Sequence, residues 1–249
     1  MNKLSVTLIT HNEERNIRDC LESVKWADEI IVVDAFSTDH TVAIAREYTD
    51  RVRTQAWSGY ASQNNSAIND ATHEWILRVD ADERVDPDLA MEIRQVLSAP
   101  DTCSGYRIPR KIFFLGRFLR RPERHHVRLF RKDKARWVGE EIHEVLVVSG
   151  TIGRLKKPMH HLYARELAPH IDKLNRYTTL HRNGKNRLPS VIQLLVGGLY
   201  TFCLEYFVYY RFLDGIPGLI YSRMRSFYSF TKYAKRWELG RDTPRNARM

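Results

Sequence analysis

Cysteine is scarce in this chain. Cys20, Cys103 and Cys203 are scattered, odd in number and lack the close spacing of a metal site. That excludes a disulfide scaffold and fits reduced packing residues in a cytosolic compartment. No apolar leader segment follows Met1, so the chain is expected to open directly on a folded strand and to stay in the cytosol. Internal repeats and low-complexity stretches are also missing, which excludes a repeat array. Only the polar, Arg-rich stretch after Gly240 reads as disordered, giving a tail over 241–249. Acidic residues are outnumbered, 30 against 40 Lys and Arg, for a formal net charge of +10. Such an excess points to an anionic partner, whether phosphate, acidic lipid or nucleic acid. Long apolar runs are nearly absent too; the exception lies in the C-terminal third.

What the chain does contain starts with Trp75-Ile-Leu-Arg-Val79, a short apolar strand emptying into Asp80-Ala-Asp82-Glu83. Carboxylates two apart at a strand end can share one divalent cation, which prefers hard oxygen ligands and keeps open positions for phosphate. Standing alone, the same residues read as a solvated acidic turn. The preceding residues change that balance. Leu4 to Ile9 is a β-rich run, and Ile17, Cys20, Leu21 and Val24 then recur at helical spacing. Glu29 to Val33 forms a second buried strand ending at Asp34, after which Ser37, Thr38 and Asp39 supply capping chemistry for a helix. A weaker strand at Arg51 to Thr54 and a helix from Tyr60 to Ala71 lead to the Trp75 strand. Alternating strands and helices predict a parallel α/β sheet, whose ligands bind beyond the carboxyl ends of the strands. Thr10-His11-Asn12, Asp34 and Asp80/Asp82 all fall there, which describes one site.

Leu4 to Asn12, Val32 to Asp39 and Val79 to Glu83 resemble the family 2 glycosyltransferases of the GT-A fold. Trp57 to Tyr60, Gln63-Asn64-Asn65, Ile142 to Val145 and Phe212 to Ile216 extend the likeness. Together they are similar to a bacterial subgroup that adds sugars, typically a β-glucosyl unit, to the lipopolysaccharide inner core. The resemblance implies a GT-A domain over 1–185, with a nucleotide-sugar half at 1–100 and an acceptor half at 101–185. Helices at 186–240 follow. It further implies a nucleotide-sugar donor, with UDP-glucose preferred, held by Thr10, His11, Asn12, Asp34, Asn65 and Asp80. His11 would stack on the base and Asp34 would accept a hydrogen bond from it. Asp80 and Asp82 would hold the metal, Mg²⁺ or Mn²⁺, which all-oxygen ligation does not tell apart. Asn64 stands where the subgroup commonly has Lys or Arg, so phosphate binding must lean on the metal or on other basic residues.

Sugar transfer by direct displacement works best with a carboxylate removing the acceptor hydroxyl's proton, and it inverts the anomeric carbon. Glu144 of the His143-Glu144 pair is the first choice, Glu141 a serious rival and Glu140 a weaker one. In a regular strand from Ile142, Glu144 and Leu146 share one face and His143 and Val145 the other. His143 and Glu144 then cannot both enter one cleft unless a bulge or loop intervenes. His161 is a further metal candidate by the same resemblance, while a histidine pair such as His160-His161 is also an ordinary structural feature.

Arg107 to Arg136 is rich in cations, among them Arg110, Arg120, Arg121 and Arg128, with Phe113, Phe114, Phe118 and Phe130 interleaved. Arg128 and His143 are assigned to an anionic glycolipid acceptor, since Arg grips phosphate and carboxylate with two bonds. Val191 to Phe212 could span a bilayer on length alone. Gln193, Gly197, Thr201 and Glu205 nevertheless recur every fourth residue, and a charge inside a true span is expensive. A helix lying on the membrane or packed on a partner helix is therefore expected. Pro217 and Gly218 open a second helix with Ile220, Met224, Phe227, Thr231 and Ala234 on one side. Its basic remainder suits an anionic lipid surface, which places the protein peripherally on the cytoplasmic face of the membrane. A nucleic-acid binder would share the charge and the aromatics but not the acidic strand exits, so no nucleic-acid partner is expected. A nucleotidyltransferase could also use paired carboxylates and a metal; it differs in releasing pyrophosphate.

Overall fold

The computed structural model describes residues 2–99, 103–139, 144–180 and 189–242. In chain order the elements begin β1 (Leu4–Thr10), α1 (Glu14–Val24), β2 (Glu29–Asp34), α2 (Thr41–Arg46), β3 (Val52–Thr54), α3 (Tyr60–Asp70) and β4 (Trp75–Arg78). They continue with β5 (Glu83–Arg84), α4 (Pro87–Ser98), β6 (Gly105–Phe114), β7 (Arg117–Phe118) and β8 (Glu123–Arg131). After these come β9 (Ala135–Val138), β10 (Val145–Val148), β11 (Ile152–Arg154) and β12 (Met159–Ala164), then α5 (Leu167–Leu180), α6 (Val191–Cys203) and α7 (Gly215–Asp242). Contacts group the chain into two compact units. The first is Met1–Ile112 with Pro122–Leu162, and the second is Phe113–Arg121 with Tyr163–Met249.

The first unit is built on a mixed sheet ordered β3-β2-β1-β4-β8-β6-β12-β5. β1, β2, β3 and β4 pair in parallel, β8 runs antiparallel to both β4 and β6, and β11 joins β6 in parallel. The central strands are largely apolar because both faces are covered, with Ser5, Thr7 and Arg78 as polar interruptions. Val6, Leu8, Val32 and Leu77 face a cluster with Ile17, Cys20, Leu21 and Val24 of α1. Ile31, Val33 and Ile76 point the other way, onto Ala67 and Ile68 of α3 and onto Phe130. The register sets Thr10 beside Asp34 and Thr7 beside Arg78, so the strand exits lie side by side. This is the GT-A arrangement, a mixed α/β sheet with flanking helices.

Two local expectations need correcting. The residue at the α2 cap position is His40, without a side-chain cap bond. Asp39 Oδ1 still accepts from Thr41 N at 3.0 Å, but Ser37 is engaged with Asp34. Of the cysteines, only Cys20 is buried, whereas Cys203 is exposed.

The second unit is a helical hairpin, α6 against α7, with α5 alongside α7. The helix from Val191 does not run regularly to Phe212. It passes into a π-helical turn at Leu204–Val208, and Tyr210 then takes a left-handed backbone (φ 57°). The small-residue stripe packs on α7: a Cβ on Gly197 would meet Tyr233 at 2.9 Å, and Ser226 Oγ donates to Gly198 O at 2.8 Å. Glu205 is buried and ion-paired to Arg225 at 3.3 Å and Arg211 at 3.8 Å. The face of α7 that packs carries Gly218, Tyr221 and Ser222, whereas Phe227 and Phe230 are exposed. The close approach of backbones selects Gly218 and Ser222 for the packed face. A Cβ on Gly218 would clash with Arg211 O.

His170 is buried among Phe114, Tyr163 and, through Tyr163, Tyr221. Burial, with Lys173 nearby, pushes its imidazole down to about 4. The unfolded histidine binds its proton near pH 6.5, so stability holds above that value and falls as pH drops from 6.5 towards 4. The expected loss is about 1.4 kcal/mol per pH unit in that window. Melting curves of wild type and His170→Leu between pH 7 and 4.5 should show wild type losing stability relative to the variant as pH falls. Parallel curves would show that His170 is not responsible.

Candidate active site

Two tethered loops define one side of the strand exits. Thr10 Oγ1 donates to Asp34 Oδ1 at 2.9 Å, and Ser37 N donates to Asp34 Oδ2 at 2.7 Å. Asn12 N donates to Ser37 Oγ at 2.8 Å, while Thr38 N donates to Asn12 Oδ1 at 2.8 Å. His11 Nδ1 lies 2.9 Å from Ala35 O. Both Asn12 and Phe36 hold φ at 54°, a strained backbone that these cross-links maintain. Asp34 itself is fully buried, with its carboxylate engaged by Thr10 and Ser37. It therefore shapes the loops and leaves exposed His11 and Phe36 on the rim.

The carboxylates form the other side. Asp82 Oδ2 lies 3.5 Å from His161 Nε2. That meeting follows from antiparallel pairing of β12 with β5, which sets His161 opposite Glu83, and from Leu162 N donating to Asp82 O at 2.8 Å. Burial opposes a proton on His161, but the hydrogen bond and charge of Asp82 outweigh it and the imidazole pKa is raised. Glu83 is wholly buried, and burial together with the Asp80 charge pushes it up to about 7 against the pull of His161, Arg110 and Arg78.

Asp80, expected as a metal ligand, is differently placed. Arg78 Nη2 lies 2.6 Å from Asp80 Oδ1, Arg78 Nη1 donates to Oδ2 at 3.1 Å, and Arg128 Nη2 donates to Oδ2 at 2.8 Å. A divalent cation on these oxygens would face two guanidinium groups at contact distance, so Asp80 does not fit that role in this arrangement. Asp82 with His161 does fit, offering one oxygen and one nitrogen donor that divalent Mg²⁺ or Mn²⁺ can accept. Among the described residues no group of three His, Cys, Asp or Glu side chains converges, so remaining positions would fall to ligand oxygens and water.

Other expected residues are redistributed. Arg128, assigned to the acceptor, is only 4% exposed and bridges Asp80 and Glu83. Asn65, assigned to the donor, ties α3 to β9: its Nδ2 donates to Trp137 O at 2.8 Å and its Oδ1 accepts from Trp137 N at 3.0 Å. It lines a cleft of about 590 Å³ with Gln55, Ser66 and Arg136. Glu144 is half-buried at the entry to β10, where Leu146 packs towards the core and Val145 and Val147 are exposed. Glu140, Glu141 and His143 lie outside the described residues.

Sequence reasoning missed Arg78, Arg110 and Glu123 as members of the site. Arg110 Nη2 donates to Glu123 Oε2 at 2.6 Å and its Nη1 lies 3.5 Å from Glu83 Oε1. The available signal was Arg78 itself, a charge interrupting an otherwise apolar central strand.

Residues 5–159 match the family described as glycosyl transferase family 2. The chain is 30% identical over 246 residues to the lipopolysaccharide core biosynthesis glycosyltransferase LpsC of Rhizobium meliloti, covering 93% of this chain and 91% of that protein. The chain belongs to glycosyl transferase family 2. This family 2 protein is also 30% identical to the uncharacterized glycosyltransferase RT0209 of Rickettsia typhi, over 96% of this chain and 88% of that one. Among solved structures it is similar to S. aureus TarS 1–349, with 18% identity, a TM-score of 0.43, and coverage of 96% and 92% of the two chains. Glucosyl-3-phosphoglycerate synthase from Mycobacterium tuberculosis aligns over 45% of this chain and 43% of its own, with 21% identity and a TM-score of 0.37.

Proposed function

We propose that this glycosyltransferase moves a hexose, preferably glucose from UDP-glucose, onto a membrane-borne anionic glycolipid of the lipopolysaccharide-core type. Family membership and the likeness to LpsC along the whole chain support the acceptor class. The observation that carries the proposal is the alignment, at neighbouring strand ends, of the Thr10–Asp34 loops with the Asp82–His161 pair. His11 and Phe36 flank the base, and Asn12 holds the rim in place. Asp82 and His161 would hold the divalent metal, which would supply positive charge to neutralise the departing diphosphate. Glu144 takes the proton of the acceptor hydroxyl in a single displacement that inverts the anomeric carbon, with Glu141 as the alternative base.

The second unit supplies the membrane side. Among the described residues one helix, Val191–Val208, is long and apolar enough to cross a membrane by length and composition. Its exposed face carries Ile192, Leu195 (74% exposed) and Leu199, continued by Phe207 and Ile216. Arg223 lies 4.4 Å over Phe202 and Arg121 lies 4.1 Å over Tyr210, so cations border the apolar face. That pattern suits in-plane seating on an anionic bilayer, peripheral to the cytoplasmic face.

A panel of nucleotide sugars, scored by melting temperature with Mn²⁺ and with chelator, tests the donor assignment. A UDP-hexose at a hundred times its Kd should raise the melting temperature by about 5–10 °C with metal only. No shift from any nucleotide sugar, or pyrophosphate release from a nucleoside triphosphate, would overturn it.

A further inference from the structure

The two arginines on Asp80 have a geometry that ion pairing alone does not explain. Arg78 is fixed on every side: Asn64 Oδ1 accepts from its Nε at 3.0 Å, Asp80 takes both terminal nitrogens, and its guanidinium lies 5.3 Å over the Trp137 ring. Such a clamp orients a planar fork in one direction before any ligand arrives. Arg128 is the reverse. Its Nη2 serves both Asp80 and Glu83, yet its buried Nε and Nη1 find no acceptor among the described residues. Buried donors left without acceptors are costly, and a few such groups in a native protein require a reason. Asp80 stands between these two cations with its side chain 29% exposed, the point where the cluster opens to solvent. A carboxylate in that position occupies the place that a larger oxyanion can share.

We propose that Arg78 and Arg128 form the cationic seat for the diphosphate of a nucleotide-sugar donor, with Asp80 acting as the internal anion that holds the seat formed when no donor is bound. This rests on the donor-site assignment above. Phosphate oxygens would take up the unused donors of Arg128 and one terminal nitrogen of Arg78, both charge-assisted. Asn64 fits the same picture. It is the hydrogen-bond acceptor that steers Arg78 from the neighbouring helix, so the cation comes from β4 in place of α3.

The test uses the full chain with uridine, inorganic pyrophosphate and the nucleoside diphosphates UDP, GDP, ADP and CDP, each titrated calorimetrically. Arg78→Gln should weaken UDP and pyrophosphate by about 10- to 100-fold, the effect of losing charge-assisted bonds, and leave uridine unchanged. The donor KM should rise more than kcat falls. Arg78→Lys should recover part of the loss, and Asn64→Lys added to Arg78→Gln should recover more, because the charge returns from α3. Equal weakening of uridine and UDP, or unchanged UDP binding by folded Arg78→Gln, would overturn the seat. Should wild type bind pyrophosphate through Arg78 but none of UDP, GDP, ADP or CDP, the donor assignment fails and the seat stands. Binding of none of these would sink both.

Discussion

Asp82→Asn is expected to lower sugar transfer by about a thousandfold, the scale of losing one preorganised charge that acts on the leaving group. The change keeps the size of the side chain and a hydrogen-bond acceptor opposite His161, 3.5 Å away, and removes only the charge. The protein should still fold, since Asn keeps the shape of the side chain and a hydrogen-bond acceptor for His161; melting within about 2–4 °C of wild type corresponds to at most about 1 kcal/mol. Metal-dependent donor binding should disappear with activity. Glu144→Gln provides the contrast. It should cut turnover by about 10²- to 10⁴-fold, the usual worth of a positioned base, while metal-dependent donor binding persists. Near-wild-type transfer by Asp82→Asn would remove the carboxylate cluster from the donor site. Full turnover by Glu144→Gln, with loss in Glu141→Gln, would move the base three residues.

The exposed face of α6 should produce the second large effect. Leu195→Glu with Leu199→Glu changes two largely exposed side chains, so the hairpin should fold as before. Each leucine withdrawn from lipid forfeits about 1.5–3 kcal/mol, so the pair should weaken vesicle binding by at least about a hundredfold. Sedimentation with vesicles containing phosphatidylglycerol measures this directly. Binding of wild type should also weaken with added salt, because the arginines bordering the face contribute a screened attraction. Unchanged partitioning of the double variant would show that this face does not meet lipid.

Some of the site was readable in advance and some was not. Thr10, His11 and Asn12 could be placed from the end of an apolar strand, because burial on both sheet faces forces a run of apolar residues to stop where the sheet stops. The same holds for Asp80 and Asp82 after Trp75. Roles were harder to place than positions. Asp34 looked like a ligand contact, but its carboxylate closes a loop through Ser37, three residues on. Asn65 looked like part of the donor pocket, yet both ends of its amide bind the backbone of Trp137, 72 residues away. Phe227 was placed on the apolar side of the last helix and is exposed there, whereas the buried positions Gly218, Tyr221 and Ser222 were not singled out as a packing face.

By itself the sequence determined the order of strands and helices up to the Trp75 strand, the polar strand exits and the apolar, cation-bordered C-terminal region. These follow from periodic burial, which is local and can be counted along the chain. Tertiary structure alone decided which carboxylate faces a cation. Arg128, from β8, claims Asp80 across 48 residues, and His161 reaches Asp82 only through the pairing of β12 with β5. The strand carrying Arg110 shifts register at Tyr106/Arg107 and again at Ile108/Arg110. Such irregularities redirect side chains that simple alternation would place elsewhere, so distant charges meet by register and not by spacing.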